Sequence, residues 1–268
     1  MDCGISTACL YPHETLDCLK ITAELQPTCA EVFFNTFSEL TPDYVDALCR
    51  VQKQHGLRIH SVHPFSSEME PFFFFSSYGP RFEDGLVLYR RYFEICQKLG
   101  AELLVLHGNR SGRTEVPMDV YAQRFCRLCA EAEKYGIIIA QENVERCQCG
   151  HPENIRLLKQ YADRPVHFVL DLKQSLRAGV DPMAMADAMG SANICHLHLS
   201  DADDSCDCKL PGLGKFDFAA LFHKLLTGGF TGNAVLELYS NGYETTAQLK
   251  EAAQYLQKLA DTAKEDTL

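Results

Sequence analysis

Six short apolar runs punctuate this chain, and each closes on a histidine or a carboxylate. They end at His63, His107, Glu142, Asp171, His198 and Glu237. A polar, turn-prone or helix-starting stretch follows each. Apolar runs of this length between turn signals read as buried strands, so the six polar residues emerge where strands reach their C-terminal ends. Gaps of 44, 35, 29, 27 and 39 residues separate them, and about 30 residues is one strand-helix-strand unit. Two earlier runs, at residues 3–9 and 30–34, complete a set of eight expected strands.

The intervening segments carry helix punctuation. Glu14 and Asp17 suit the positive start of a helix from about His13. Thr41 and Pro42 supply an N-cap and a first-turn proline for a helix ending near Gly56. Helices are predicted over about 80–99 and 116–135, closed by Gly100 and Gly136, and another restarts at Asp181 and Pro182. Residues 199–216 read as a long polar loop. Asp217 opens a helix closed by Gly228 and Gly229, and the last helix covers about 244–263. Strands alternating with helices and no Pro/Gly/Ser-rich linker predict an α/β fold: one (β/α)8 TIM barrel over residues 1–268. An open doubly wound sheet is the main alternative. It normally carries a Gly-rich phosphate turn after its first strand, and this chain has none there.

Composition narrows the partners. Thirty-six acidic against 25 basic residues give a formal charge of -11, which repels a polyanion. No basic stripe compensates, so no nucleic acid is expected. The N-terminus has neither a basic region nor a long apolar one, and no stretch approaches the roughly 18 apolar residues of a membrane span. The expectation is a soluble cytoplasmic protein with no membrane contact. Thirteen cysteines in a chain of this length read mostly as reduced thiols packed as small hydrophobes.

Parallel barrels keep their chemistry at the C-terminal ends of the strands. Glu142, Asp171, His198 and Glu237 together offer three oxygen donors and one imidazole nitrogen. That set suits Mn²⁺, Mg²⁺, Co²⁺ or Zn²⁺ with positions left for substrate oxygens. One strand-end acid alone is as easily a helix cap or half of an ion pair; four in successive units argue for a metal.

At these residues the chain resembles a known group. Gln141-Glu142-Asn143, Leu170-Asp171-Leu172, His196-Leu-His198-Leu-Ser-Asp201, Pro211-Gly-Leu-Gly214 with Asp217-Phe218, and Leu236-Glu237-Leu238 look like the xylose-isomerase-like barrel superfamily. That group holds sugar and sugar phosphate isomerases and epimerases, inosose-type enzymes and, more distantly, apurinic endonuclease IV. The resemblance implies that Glu142, Asp171, His198 and Glu237 are the metal ligands. It also implies proton transfer next to a carbonyl through a cis-enediolate, with Glu142 and Glu237 as the acid/base pair. His198 is the family ligand of the His-x-His pair. Residues two apart on a strand share a face, and only the one nearest the end reaches the mouth, so His196 is expected deeper. The implied partner is a small-molecule sugar or sugar phosphate. Cyclitol dehydration is a close variant, and an endonuclease IV-like phosphodiesterase is the alternative.

The chain departs from the family at three places. Gln174 stands where many relatives have a histidine, and Asp204 where some epimerases have an arginine. Cys206-Asp-Cys208 replaces an Asp-x-His pair of endonuclease IV, whereas His63 and His107 match its remaining histidines. Cys206 and Cys208 with Cys147 and Cys149 are candidates for a second, thiolate metal site, or simply exposed thiol pairs. His63 and His107 are expected to line the substrate pocket; Glu31 and Asn35 are weaker candidates, expected to be structural. Arg110 and Arg113 on a Gly-containing loop suit a substrate phosphate or carboxylate. Lys173 is a further anion contact or Schiff-base candidate, and Gln174 completes the expected substrate contacts. Four consecutive phenylalanines, Phe72 to Phe75, show no strand or helix period. They read as a lid, as a contact in a possible homodimer, or as a purely packed loop.

Overall fold

The computed structural model describes residues 1–266. Eight parallel strands close into a barrel: β1 (Cys3–Ser6), β2 (Ala30–Phe33), β3 (Ile59–His63), β4 (Leu103–Leu106), β5 (Ile138–Glu142), β6 (His167–Asp171), β7 (Ile194–Leu199) and β10 (Asn233–Leu236). Neighbours pair in chain order, and β10 pairs β1 to close the ring. The long helices around it are α1 (Thr15–Leu25), α2 (Pro42–His55), α4 (Pro80–Leu99), α5 (Met118–Glu133), α6 (Pro152–Tyr161), α8 (Pro182–Met189), α9 (Phe218–Thr227) and α10 (Thr246–Glu265). Two shorter ones, α3 (Glu70–Phe74) and α7 (Leu172–Arg177), sit at the mouth side of β3 and β6. No helix among the described residues is long and apolar enough to cross a membrane.

Three expectations change. The first strand stops at Ser6, whose hydroxyl accepts the amide of Ala8 at 3.2 Å and starts a 3-10 turn over Thr7–Leu10. The loop after β7 holds an antiparallel hairpin, β8 (Asp201–Asp203) and β9 (Cys206–Lys209). The four phenylalanines divide: Phe74 and Phe75 are buried, with Phe75 stacked on Tyr121, while Phe72 is half exposed beneath the guanidinium of Arg81. The aromatic run therefore anchors the β3 loop to the helices, because a one-turn helix can turn two adjacent rings inward.

Two cores result from the period-two pattern of the strands. The larger lies between strands and helices; the smaller, Leu103, Val105, Ala140 and Val169, fills the barrel beside β4, β5 and β6. Val105, Ala140 and Val169 precede His107, Glu142 and Asp171 by two residues, so the polar ends continue the same inward face. The other side of the interior is polar, with Ser6, Glu31, Ser61, His196 and His198 all buried. The strand register skips His60 between β2 and β3, and Cys195 between β6 and β7. These bulges, each placing an extra residue opposite one partner, set Ser61 and His196 level with Glu31 and Val169.

Candidate metal centre

The block Gln141-Glu142-Asn143 explains how one carboxylate is aimed. Gln141 donates to the carbonyls of Leu106, His107 and Glu142 at 3.2, 2.9 and 2.9 Å, and accepts from the Tyr121 hydroxyl at 2.7 Å. Asn143 reaches the other way, donating to the Asp171 carbonyl at 3.0 Å and accepting the Asp171 amide at 2.8 Å. The two amides tie the end of β5 to β4 and to β6, leaving Glu142 to point inward. Their flanking position in the sequence was the available signal for this role. Gly108 completes the β4 end: its φ is +82°, and a Cβ there would lie 1.8 Å from the Tyr121 hydroxyl, a place only glycine fits.

Asp171 uses its two oxygens differently. Oδ1 accepts the Gln174 amide at 2.8 Å and caps α7, whereas Oδ2 has no hydrogen-bond partner. Helix cap and candidate ligand are thus the same residue. Nδ1 of His198 stands 3.5 Å from Glu142 Oε1, 3.8 Å from Asp171 Oδ2 and 3.6 Å from Glu237 Oε2. Glu237 lies just past β10, its amide still donating to the Leu199 carbonyl at 3.1 Å. Ligand atoms of all four residues lie within 4.8 Å of one another.

Among the described residues, five buried polar side-chain atoms lack a hydrogen-bond partner, and two of them, Asp171 Oδ2 and His198 Nδ1, face each other here at 3.8 Å, while a third, Glu142 Oε2, is turned toward His107 and His63. Orphaned buried polar atoms are costly unless something satisfies them. Three carboxylates and one imidazole converging on one point are the donor set of a divalent cation, so these residues fit one. Burial and the charges of Glu237 and Glu142 push Asp171 up to about 7, against the pull of Lys173 and His198. Burial opposes charge on His198, yet Glu31, Glu237 and Glu142 raise it well above the usual imidazole range. A cation is what such crowded carboxylates lack.

The far side of His198 is equally defined. Glu31 Oε2 lies 3.2 Å from Nε2 of His198 and of His196, and the carboxylate also accepts from Ser6 and Ser61 at 3.0 and 2.8 Å. Burial would raise Glu31, but the two imidazoles hold it well below the usual carboxylate range. His196 is fully buried, with Nδ1 3.1 Å from the Asn233 carbonyl, so it lies a layer beneath the mouth.

His63 and His107 flank Glu142 on its other side. Nε2 of His107 is 3.0 Å and Nε2 of His63 is 3.6 Å from Glu142 Oε2, and the two nitrogens are 3.1 Å apart. Nδ1 of His63 faces the Pro64 carbonyl at 3.2 Å, and although burial opposes charge on the ring, Glu142 and Glu31 raise it above the usual imidazole value. With Glu142 they form a second group whose ligand atoms lie within 4.8 Å.

Above these residues opens a cavity of about 320 Å³, walled by Tyr11, Phe33 and Tyr239. His63, His107, Lys173 and Gln174 line it; Arg110 does not, and its place at the rim is taken by Arg146. Arg113 is exposed. Lys173 is buried and donates to Glu237 Oε2 at 2.8 Å, with Asp171 Oδ2 3.5 Å away. Gln174 accepts the Glu145 amide at 3.1 Å. Asn35 also lines the cavity. A groove of about 390 Å³ between α2 and α4 is larger but holds none of these groups.

Two sequence features prove structural. Asp201 accepts the amides of Gly212, Gly214 and Phe216 at 2.9, 2.9 and 3.0 Å, and a Cβ on Gly214 would lie 2.3 Å from its carboxylate. That explains the Pro-Gly-Leu-Gly block as a loop folded on one side chain. The four loop cysteines do not converge: all 13 cysteines are free, Cys206 is exposed, Cys147, Cys149 and Cys208 are buried, and none belongs to a metal-ligating group among the described residues.

A family model described as the xylose isomerase-like TIM barrel matches residues 19–259. An uncharacterized protein of Mycobacterium leprae (strain TN) is 24% identical over 270 residues, covering 91% of each chain. Among solved structures, a D-tagatose 3-epimerase-like protein superposes over 100% of both chains with a TM-score of 0.81 and 18% identity. A xylose isomerase-like TIM barrel protein from Mycobacterium smegmatis, in complex with magnesium, has a TM-score of 0.71 and 18% identity, covering 92% of this chain and 88% of its own.

Proposed function

Since the chain belongs to the xylose isomerase-like TIM barrel family, we propose that it is a divalent-metal-dependent isomerase or epimerase of a small sugar, sugar phosphate or polyol ketone. One observation carries this reading: unsatisfied buried ligand atoms of Asp171 and His198 meet the carboxylates of Glu142 and Glu237 within 4.8 Å at the floor of a cavity sized for a small molecule. The likeness to an epimerase-like structure and to a magnesium-bound relative supports it.

A cation held by Glu142, Asp171, His198 and Glu237 would supply a Lewis acid for a carbonyl and a neighbouring hydroxyl. The chain's own residues do the rest. Glu142 and Glu237 approach His198 from different strands, so a substrate above them meets a carboxylate on either side. One takes the proton from the carbon next to the carbonyl, and the other returns it to the opposite face or to the adjacent carbon. Lys173 holds Oε2 of Glu237, which leaves Oε1 for the proton. His63 and His107 offer ring nitrogens to substrate hydroxyls, and Tyr11, Phe33 and Tyr239 cover the carbon skeleton and exclude water. Cyclitol dehydration would begin with the same proton removal.

The test is a panel of ketoses and cyclitol ketones incubated with Mg²⁺-loaded protein in D₂O, followed by mass spectrometry and NMR of the recovered sugars. Deuterium beside the carbonyl of one of them is expected. Its absence from all of them, or full turnover by Glu142→Gln with metal retained, would sink the reading.

The group of His63, His107 and Glu142 favours one second reading, a phosphodiesterase with two or more metals sharing Glu142. The charge of -11 and Gln174 weigh against it. Two or more zinc ions per chain with cleavage of abasic DNA would decide for it.

A further inference from the structure

The rim of the cavity carries a charge that proton transfer does not use. Arg146 lines the same cavity as Glu142, Lys173 and Glu237, with its side chain 45% exposed. Its backbone is fixed on every side. Ser111 donates to the Arg146 carbonyl at 2.9 Å, Cys147 to the Val144 carbonyl at 2.9 Å and Gln148 to the Asn109 carbonyl at 2.8 Å, while Gln174 holds the amide of Glu145. The guanidinium is therefore presented from a rigid strap.

Its ion-pair partner is Glu68, 2.5 Å away, on the 3-10 turn Phe65–Met69. The other oxygen of Glu68 pairs with Arg110. One half-exposed carboxylate thus serves two half-exposed guanidiniums. The three also mark a boundary: Arg146 lines the mouth, whereas Glu68 and Arg110 line an adjoining cavity of about 600 Å³. Exposed ion pairs of this kind are weak and exchange readily, and two planar guanidiniums suit an anion that binds in bidentate fashion.

Charge balance points the same way. A divalent cation among Glu142, Asp171 and Glu237 leaves one negative charge on the floor, and the ammonium of Lys173, 2.8 Å from Glu237, cancels it. Arg146 then remains as the cation facing the cavity, and Glu68 shares its single charge with Arg110.

Building on the reading above, we infer that the substrate is an anionic keto sugar. Its carboxylate or phosphate displaces Glu68 and is gripped by Arg146, with Arg110 beside it, while its carbonyl end lies over Glu142 and Glu237. Glu68 is the resident anion that holds the two arginines apart until substrate arrives.

Isothermal titration of the full Mg²⁺-loaded chain with D-fructose, D-fructose 6-phosphate and 5-keto-D-gluconate tests this, in wild type, Arg146→Met and Glu68→Gln. At least one anionic ketose should bind tenfold or more tightly than fructose, and the tighter of the two identifies phosphate or carboxylate. Arg146→Met should remove that preference. Glu68→Gln, which needs no refolded core, should strengthen the anionic ligand severalfold. Equal binding of neutral and anionic sugars, no binding of any of the three, or a preference that survives Arg146→Met overturns the inference. Anion binding through Arg146 without deuterium exchange would uphold it and sink the isomerase reading; exchange in fructose without anion preference would do the reverse.

Discussion

Oε2 of Glu31 stands 3.2 Å from Nε2 of His198, and that contact decides which edge of the ring faces Glu142, Asp171 and Glu237. A carboxylate can only accept, so Nε2 carries a proton and Nδ1 is the nitrogen turned toward the acids. Carboxylates behind metal-binding histidines fix the tautomer and make the ring a stronger donor.

Glu31→Gln should therefore weaken Mg²⁺ binding by about 10- to 100-fold, the usual effect of losing such a partner, as read by calorimetric titration. The amide oxygen can still accept from one imidazole, so the melting temperature should change much less than for Glu31→Ala. Unchanged metal affinity in a folded Glu31→Gln protein would show that His198 is oriented by the barrel alone.

Lys173 places an ammonium 2.8 Å from Glu237 and 3.5 Å from Asp171, inside the set of groups that would hold a cation. Two positive charges this close repel strongly even in a partly screened site. Lys173→Met keeps the length of the buried stem and removes the charge, so metal affinity should rise, by roughly tenfold or more on Coulombic grounds, in competition against a chelator. A fall instead would mean that the ammonium orders Glu237 for the metal.

The barrel and the convergence of Glu142, Asp171, His198 and Glu237 were legible in the sequence because both follow from local rules. Apolar runs must be buried, and a parallel strand delivers its last polar residue to one mouth. What could not be read depends on contacts between distant segments. Glu31 is one strand-end acid among many until Ser61, His196 and His198 surround it. Arg146 carries no local signal, and it replaces Arg110 at the rim only because the strap from Val144 to Gln148 is hydrogen-bonded down onto the β4 loop. The paired cysteines could be read as a thiolate site or as exposed thiol pairs, and neither reading anticipates that the hairpin β8-β9 turns Cys208 inward and leaves Cys206 in solvent.

That arrangement has a direct chemical consequence. Cys206 is the exposed one of the 13 free thiols, and Cys49 and Cys195 are partly covered. Burial pushes Cys9, Cys147 and Cys149 up to about 12, and buried neutral thiols react slowly because the thiolate is the nucleophile. A disulfide reagent added to native protein should modify about one thiol per chain quickly, and the rest only on denaturation. Cys206→Ser should abolish the fast phase, and Cys206→Ser/Cys208→Ser should leave the metal content unchanged. Loss of a bound ion in the double variant would restore the thiolate site.

Glu70 ties the β3 loop to the β4 end and gives the fold a pH dependence. It is fully buried; the Tyr89 hydroxyl donates to Oε1 and the Gly108 amide to Oε2, each at 2.5 Å. Burial, aided by the charge of Glu142, pushes it up to about 8 in spite of those hydrogen bonds and one from the His107 amide. Its other neighbours stay neutral over this range, because burial also raises Tyr89, Tyr92, Tyr121 and Cys147. An unfolded glutamate titrates near the ordinary value of 4.5. Between the two values the folded chain holds a proton that the unfolded chain has released, so stability contributed by this group falls as pH rises, by about 1.4 kcal/mol per unit. The contribution is complete below pH 4.5 and exhausted above about 8. Glu70→Gln mimics the protonated acid, its amide able to donate to Tyr89 while its oxygen accepts from Gly108. The variant and wild type should therefore unfold at similar denaturant concentrations near pH 5, and the variant should be the more stable at pH 8. Parallel pH profiles for the two proteins would show that Glu70 is ionised throughout, its three donors outweighing burial.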